Sequence, residues 1–528
     1  MKLKTEKLIN SWPFLLGLVL GLYLMVFNII GFDFSYFPGD LGDGRFNMYI
    51  LEHGHKFLAG QEDSLWNAPF FYPAADVITF SDNLIGTVPI YSFFRVLGYD
   101  VVTSFQFWFI TLTILSYTTC YFFLKWTFRN KYAAVLGAFL FAFSIALQSQ
   151  MTHAQVFPRF FIPLALWMLL LFKKDLQPKY FFLAILFLVL QFYAGVYLGF
   201  MLAVPFGILL ILIVFQKRKL LFNKAKKIRW WLFSGGSIII NLGILGVLMY
   251  PYLQRSREVG TNSYETIVGT LPSFRSFFYS QDGTLCWDVL SNTGSRYDAS
   301  WDHQIFPGGM AILSLIIVGI CLLFRKRWPL VKEIATSTVL LLIIAGGLTI
   351  IIFMRYQGYS LYQLVYMIPG FGSMRSLTRI INLELLFFSI AVAFASMLLL
   401  KKYSNYSAII FVGFLGLLAT DNYFKEEKSY RTDKAEAQWR VEELRKKMTI
   451  IPEGSVVSYE PSINNEPAFY YQLDAMLATQ SLGLKSVNGY SGNSPKGFND
   501  FWWDLDEESR LKWFDYMDYH PDSLYIIH

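Results

Sequence analysis

Up to Asp421 the chain alternates between long apolar runs and short polar breaks. A helix needs roughly 20 apolar residues to cross about 30 Å of hydrocarbon. Eleven runs are candidates: 12–31, 101–124, 132–148, 157–172, 180–196, 197–215, 231–250, 308–324, 333–353, 380–400 and 406–421. The stretch from Tyr180 to Phe215 has no polar break and would reach on the order of 54 Å as one helix. Lys179 and Lys217 bracket it, so two passes with a tight turn near Gly195 to Gly199 fit better. The first run follows MKLKTEKLIN. It is too long for a signal-peptide apolar segment and lacks a small-x-small cleavage site, so it reads as a retained helix. The stretch 84–97 is mildly apolar, and a crossing there would invert every later loop. It is expected to lie in the interface or re-enter.

Beyond Asp421 the pattern changes. KEEKSYRTDKAEAQWRVEELRKKM is charged and helix-like, GSVVSYEP alternates like a short strand, and VNGYSGNSPKGF is rich in turn residues. WWDLDEESRLKWFDYM has the pattern of an amphipathic helix. The expected architecture is a membrane all-α bundle of about eleven transmembrane helices over residues 1–421. A small C-terminal α/β or α+β domain follows at 422–528.

Composition agrees with the bundle. The chain is 55% hydrophobic and only 16% charged, against about 25% charged in a soluble domain. Mean hydropathy is +0.41. Cys120 and Cys321 fall in apolar runs, which leaves Cys286 in a polar loop and no disulfide or zinc framework. In a polar chain a net charge of +7 would raise nucleic acid as a partner. Here the cations gather instead in alternate loops, 22 in one set against 11 in the other. Short loops rich in Lys and Arg stay in the cytoplasm. The chain is therefore expected in a cell (inner or plasma) membrane with its N-terminus on the cytoplasmic side. The long loops 32–100, 251–307 and 354–379, and the tail, are expected outside, against membrane lipids and without a nucleic-acid partner.

Before the tail, the cations of the outer loops are mostly arginine: Arg45, Arg95, Arg159, Arg255, Arg257, Arg275, Arg296, Arg355, Arg375 and Arg379, with Lys56 the one lysine. Arginine grips phosphate through a planar fork, although it is also common at water–membrane boundaries. The first loop opens with FPGDLGDGRFNMYILEHGHKFL. Asp40 and Asp43 stand three residues apart among glycines. They can share a divalent metal, or one can act as general base. The plainer reading is a glycine-rich turn with Asp capping the helix that starts near Arg45. Glu52 and His53 follow on that helix, but His53 and His55 point about 200° apart and do not make a zinc pair. Asp82, in FSDN, and His153, in the short loop QSQMTHAQVFPRF, are further polar candidates, each with a capping or loop role as the plainer alternative. Arg375 and Arg379 share a helix face at i, i+4 after a Pro-Gly break. A helix start with two arginines can seat a phosphate. Glu384 lies about a turn deeper, where an ionisable residue inside a span is suspect by default.

Gly39-Asp40-Leu41-Gly42-Asp43 resembles the modified DxD motif of GT-C glycosyltransferases, with DxxD spacing here. The blocks EHGHKFL, FFYP, FSDN and GTVPIY look like the first loop of a bacterial GT-C-like subgroup. His153-Ala154-Gln155, the block His303 to Gly308, Pro369-Gly370-Phe371, Met374 to Arg379, and Val487 to Gly492 resemble its later landmarks. The resemblance implies an inverting transfer outside the membrane from a polyprenyl-phosphate-linked sugar. Asp40 or Asp43 would then be the base or metal ligand. It leaves open a divalent cation, Mg or Mn, and the acceptor: glycan, lipid or protein. Two other classes compete, a lipid-linked-glycan flippase and a non-catalytic assembly protein. A flippase wants charges along the bundle interior, whereas these spans are nearly charge-free.

Overall fold

The computed structural model describes residues 2–294, 300–462 and 465–528, so Arg296 lies outside the described residues. Each of the eleven apolar runs carries a helix. Among the described residues, eight helices are long and apolar enough to cross a membrane: Ser11–Ile30, Val101–Phe128, Lys131–Gln148, Ala154–Asp175, Val196–Lys224, Ile228–Val259, Leu377–Lys402 and Ser404–Asp421. Three shorter apolar helices, Pro178–Ala194, Gly309–Leu323 and Ser337–Phe353, pack among them. The chain is a multi-pass membrane protein. Lys131–Gln148 and Leu377–Lys402 are 89% buried and form the bundle centre, whereas Ile228–Val259 is only 22% buried and lies at its edge.

Local chemistry sets the helix starts. Asp100 accepts from Val102 N and Thr103 N at 3.0 Å, and Asn130 caps Tyr132 N and Ala133 N. The break expected within 180–215 falls at Gly195, between Pro178–Ala194 and Val196–Ala225. The segment 84–97 forms a nine-residue helix, Val88–Val96, with Phe93 and Val96 exposed.

The polar loops collect at the two ends of the bundle. At one end Lys173 Nζ donates to Ser337 Oγ, Lys401 pairs with Glu333, and Trp230 Nε1 donates to Leu176 O. At the other end the loop 32–100 meets the loops around 153, 255 and 375 and the whole tail. The tail is bound into the first loop by main-chain pairing. Strand β1 (Tyr36–Pro38) pairs antiparallel with β2 (Arg431–Asp433). That strand corrects part of the helix expected from 425, which starts only at Lys434 and runs to Met448. β3 (Val456–Tyr459) lies between β4 (Lys485–Ser486) and β5 (Leu524–Ile527) in a parallel sheet, order β4-β3-β5. The helix Ala468–Ser481 joins β3 to β4, as parallel strands require. First-loop residues extend the β4 edge: Tyr72 N donates to Ser486 O and Ser486 N to Pro69 O. Gly489 makes this approach possible, because a Cβ there would stand 2.0 Å from Phe71 Cδ1. The amphipathic helix expected at 502–517 is two helices, Asn499–Trp503 and Glu507–Tyr516, separated by Leu505 at φ 45°.

Candidate functional site

The converging loops enclose a cavity of about 650 Å³. This is within the range of small-molecule sites. Asp43 and Asp82 line it from the first loop, Val196, Tyr197 and Phe200 from one helix, and Met249 and Leu253 from the next. Arg375 and Arg379 close one side, and Tyr490, Trp502 and Trp503 the tail side. The lining mixes apolar helix residues with polar and aromatic residues from the loops and the tail.

Asp43 is placed by a tight turn. Gly39 sits at φ +105°, a conformation that side-chain-bearing residues rarely adopt. Asp40 then accepts from Gly42 N at 3.0 Å, and the helix Asp43–Leu58 begins. Asp43 occupies the first helical position, where the aligned N–H groups favour a carboxylate. Its Oδ1 accepts from the Tyr490 hydroxyl at 2.6 Å, and its Oδ2 from His153 Nδ1 at 2.9 Å. Arg379 Nη2 lies 3.4 Å from the same His153 nitrogen. Burial alone would raise the Asp43 carboxyl; the His153 and Tyr490 hydrogen bonds and the Arg379 charge outweigh it and hold the group well below the usual range. Asp40 behaves oppositely: burial and the neighbouring Asp43 charge push it up. The Asn47 amide donates to Asp43 O at 2.7 Å and to Gln155 Oε1 at 3.0 Å, joining the helix to the 153 loop.

Arg379 stacks over Tyr197 at 5.7 Å, and its Nε is buried without a partner among the described residues. The Arg375 guanidinium donates to Gly492 O, and its N–H to the Tyr197 hydroxyl at 2.9 Å. Asp82 is 4% exposed and accepts from Tyr197 N at 3.2 Å. Burial pushes its carboxyl up to about 6, against the opposing Tyr197 hydrogen bond and Arg379 charge.

The structure thus brings together Asp43, His153, Arg379, Arg375 and Asp82. It engages the other sequence candidates elsewhere. Asp40 serves the turn and does not line the cavity. Arg45 is buried in an ion pair with Asp474 and donates to Leu41 O at 2.7 Å. Glu52 accepts from Arg95 Nε at 2.8 Å and from the Tyr91 hydroxyl at 2.7 Å. His53 Nε2 lies 3.1 Å from Ser64 O and 3.2 Å from Leu65 O, and burial lowers its pKa to about 4. Glu384 is fully buried in its helix, and neither carboxylate oxygen has a partner among the described residues. Tyr490, Tyr197 and Trp502 were not singled out from the sequence. The Gly-Tyr-Ser-Gly turn marked the Tyr490 region, but nothing local ties it to Asp43.

Each Asp43 oxygen accepts one side-chain hydrogen bond, from Tyr490 and His153. Among the described residues no group of three or more His, Cys, Asp and Glu side chains could hold an ion.

The class defined by fold and site is a multi-pass membrane protein with a loop-built cavity at one end of the bundle. Its structure is similar to the oligosaccharyltransferase of Archaeoglobus fulgidus in the apo form, with a TM-score of 0.50 and 13% identity over 96% of this chain and 69% of that one. The same archaeal protein in complex with Zn and sulfate gives a TM-score of 0.43 at 13% identity, covering 90% of this chain and 62% of that one. At such identity the likeness concerns the fold alone. No family model matches the chain, and no curated protein matches its sequence.

Proposed function

We propose that this chain is a GT-C-type membrane glycosyltransferase that moves a sugar from a polyprenyl-phosphate-linked donor to an extracytoplasmic acceptor. The observation that carries this is the pairing of Asp43 and Arg379 around His153 at one cavity. A lipid-linked sugar presents three chemistries in order: an apolar chain, a phosphate and a sugar ring. The cavity offers Val196, Phe200, Met249 and Leu253 for the first, Arg379 and Arg375 for the second, and Asp43 with the tail aromatics for the third. In the transfer, an acceptor hydroxyl oxygen attacks the anomeric carbon from the face opposite the phosphate. The anomeric C–O bond breaks, and the phosphate leaves with the bonding pair toward the arginines. Charge builds on the phosphate and positive character on the ring, and fixed opposite charges stabilise both. Asp43, held ionised, suits the ring side.

In the same reading all eleven apolar helices cross the membrane, and the cavity faces outward. Supporting this, the lysine-rich loops meet at the end opposite the cavity, and cation-rich loops remain cytoplasmic.

The test is turnover by the full chain in phosphatidylethanolamine–phosphatidylglycerol vesicles. Undecaprenyl-phosphate-linked hexose, aminohexose or pentose serves as donor, and the phosphatidylglycerol headgroup hydroxyls and water serve as acceptors. Release of undecaprenyl phosphate by wild type, lost in Asp43→Ala and Arg379→Ala, is expected. No turnover with any of the three donors, or an active Asp43→Ala protein, overturns the reading.

A further inference from the structure

Two carboxylates line the cavity, and they are held in different ways. Asp43 takes a side-chain hydrogen bond on each oxygen. Asp82 takes none from a side chain among the described residues and is held through the main chain at the first turn of Val196–Ala225. The loop on either side of it is clamped. Asn83 Oδ1 accepts from Ile85 N at 2.9 Å, its amide donates to the Tyr252 hydroxyl at 3.3 Å, and that hydroxyl donates to Ser81 O at 2.8 Å. The carboxylate is therefore fixed in place without being saturated. It also stands beside the Asp43 wall. Gly195 lies between Asp82 and Gln155, such that a Cβ there would be 3.3 Å from Gln155 O and 3.9 Å from Asp82 Oδ1. Gln155 in turn holds Asn47 one helical turn from Asp43.

Building on the glycosyl-transfer reading, we infer that Asp82 is the general base that takes the acceptor hydroxyl proton, while Asp43 serves as a fixed negative charge. As the new bond forms from the acceptor oxygen to the anomeric carbon, the hydroxyl proton passes to an Asp82 carboxylate oxygen. The phosphate departs with the electrons of the bond that breaks, and Asp82 later returns the proton to water. The division follows from how the two groups are held. A base must have an open lone pair and a proton affinity near the working pH. Each Asp43 oxygen accepts a side-chain hydrogen bond, and those bonds favour the ionised form throughout, whereas the donors to Asp82 are main-chain N–H groups alone among the described residues. Asp82 is buried beside the Arg379 charge and the Tyr197 and Tyr252 rings, in a cavity that Arg255, Arg375, Asp43 and Tyr490 also line.

Asp82→Asn is the discriminating variant, because asparagine keeps the shape and caps a helix about as well as aspartate. It is expected to lower kcat by at least roughly 100-fold, the size of a general-base contribution. The acid limb of kcat/KM near pH 6 should vanish from the residual activity. Donor KM should stay within about threefold, and melting in detergent should not fall. If Asp82→Asn does not fold, Asp82→Glu carries the test: kcat falls and the acid limb stays. Wild-type turnover with an Asp82→Asn enzyme of near-normal kcat and an unchanged acid limb overturns the base assignment and leaves glycosyl transfer standing. So does an acid limb that disappears in Asp43→Asn instead, or in Asp82→Glu. Absence of wild-type turnover on every donor removes the transfer reading and this inference with it.

Discussion

The Tyr490 hydroxyl donates to Asp43 Oδ1 at 2.6 Å across 447 positions of sequence. The cavity is therefore completed by the tail: a first-loop carboxylate takes one of its two side-chain donors from the last quarter of the chain. Burial and the adjacent Asp43 charge push the Tyr490 phenol well above its usual range, so it remains a donor at any physiological pH.

Tyr490→Phe removes that donor and little else. A hydrogen bond to a charged group is worth about 1.5–3 kcal/mol. Transfer is expected to fall roughly 10- to 100-fold with the fold intact, measured by initial rates alongside detergent melting curves.

Asp40 and Asp43 separate cleanly. Asp43→Asn should lose at least roughly 100-fold in turnover, since it removes the fixed charge at the cavity. Asp40→Asn should keep most activity, because an amide can still accept from Gly42 N; Asp40→Ala should cost about 1 kcal/mol of stability, as a lost turn cap does. Paired rate and melting measurements decide it.

Arg379→Lys keeps the charge but removes the planar fork, and at a bidentate site that exchange is not conservative. Donor KM is expected to rise by about tenfold or more, and Arg379→Ala to lose more still. Binding of undecaprenyl phosphate alone, followed by tryptophan fluorescence, checks this without turnover. Trp502 and Trp503 line the same cavity.

Holding Asp82 ionised at neutral pH opposes folding. A carboxyl pushed up to about 6 prefers its proton in the folded state. Stability should therefore rise as pH falls from about 6 toward 4, while activity falls over the same interval. Asp82→Asn removes a cost on the order of 2–3 kcal/mol. Its melting temperature at pH 7.5 should equal or exceed that of wild type.

Cys286 reports sidedness without engineering. It is exposed in the loop 251–307 at the cavity end, whereas Cys120 and Cys321 are buried. A membrane-impermeant maleimide should label wild-type protein in intact cells. Labelling that appears only after permeabilisation would place the cavity in the cytoplasm.

The sequence by itself determined where the helices lie, because apolar length and capping residues such as Asp100 and Asn130 are local properties. The break at Gly195 and the gathering of lysines into alternate loops were legible for the same reason. It also supplied Asp43, Asp82, His153, Arg375 and Arg379 as candidates by residue type and loop position. It could not rank them. Asp40 and Asp43 look alike along the chain, and only the turn at Gly39 sends one to main-chain N–H groups and the other to the cavity. Arg45, Glu52 and His53 resemble site residues until Asp474, Arg95 and the Ser64 carbonyl take them up. β2 reads as helix until Tyr36–Pro38 offers it a strand partner. Tyr490 reaches Asp43 only because Gly489 lets the tail close on Phe71. Contacts between distant loops leave no period in the sequence, so tertiary packing alone decided which charges remain paired within the fold and which face the cavity.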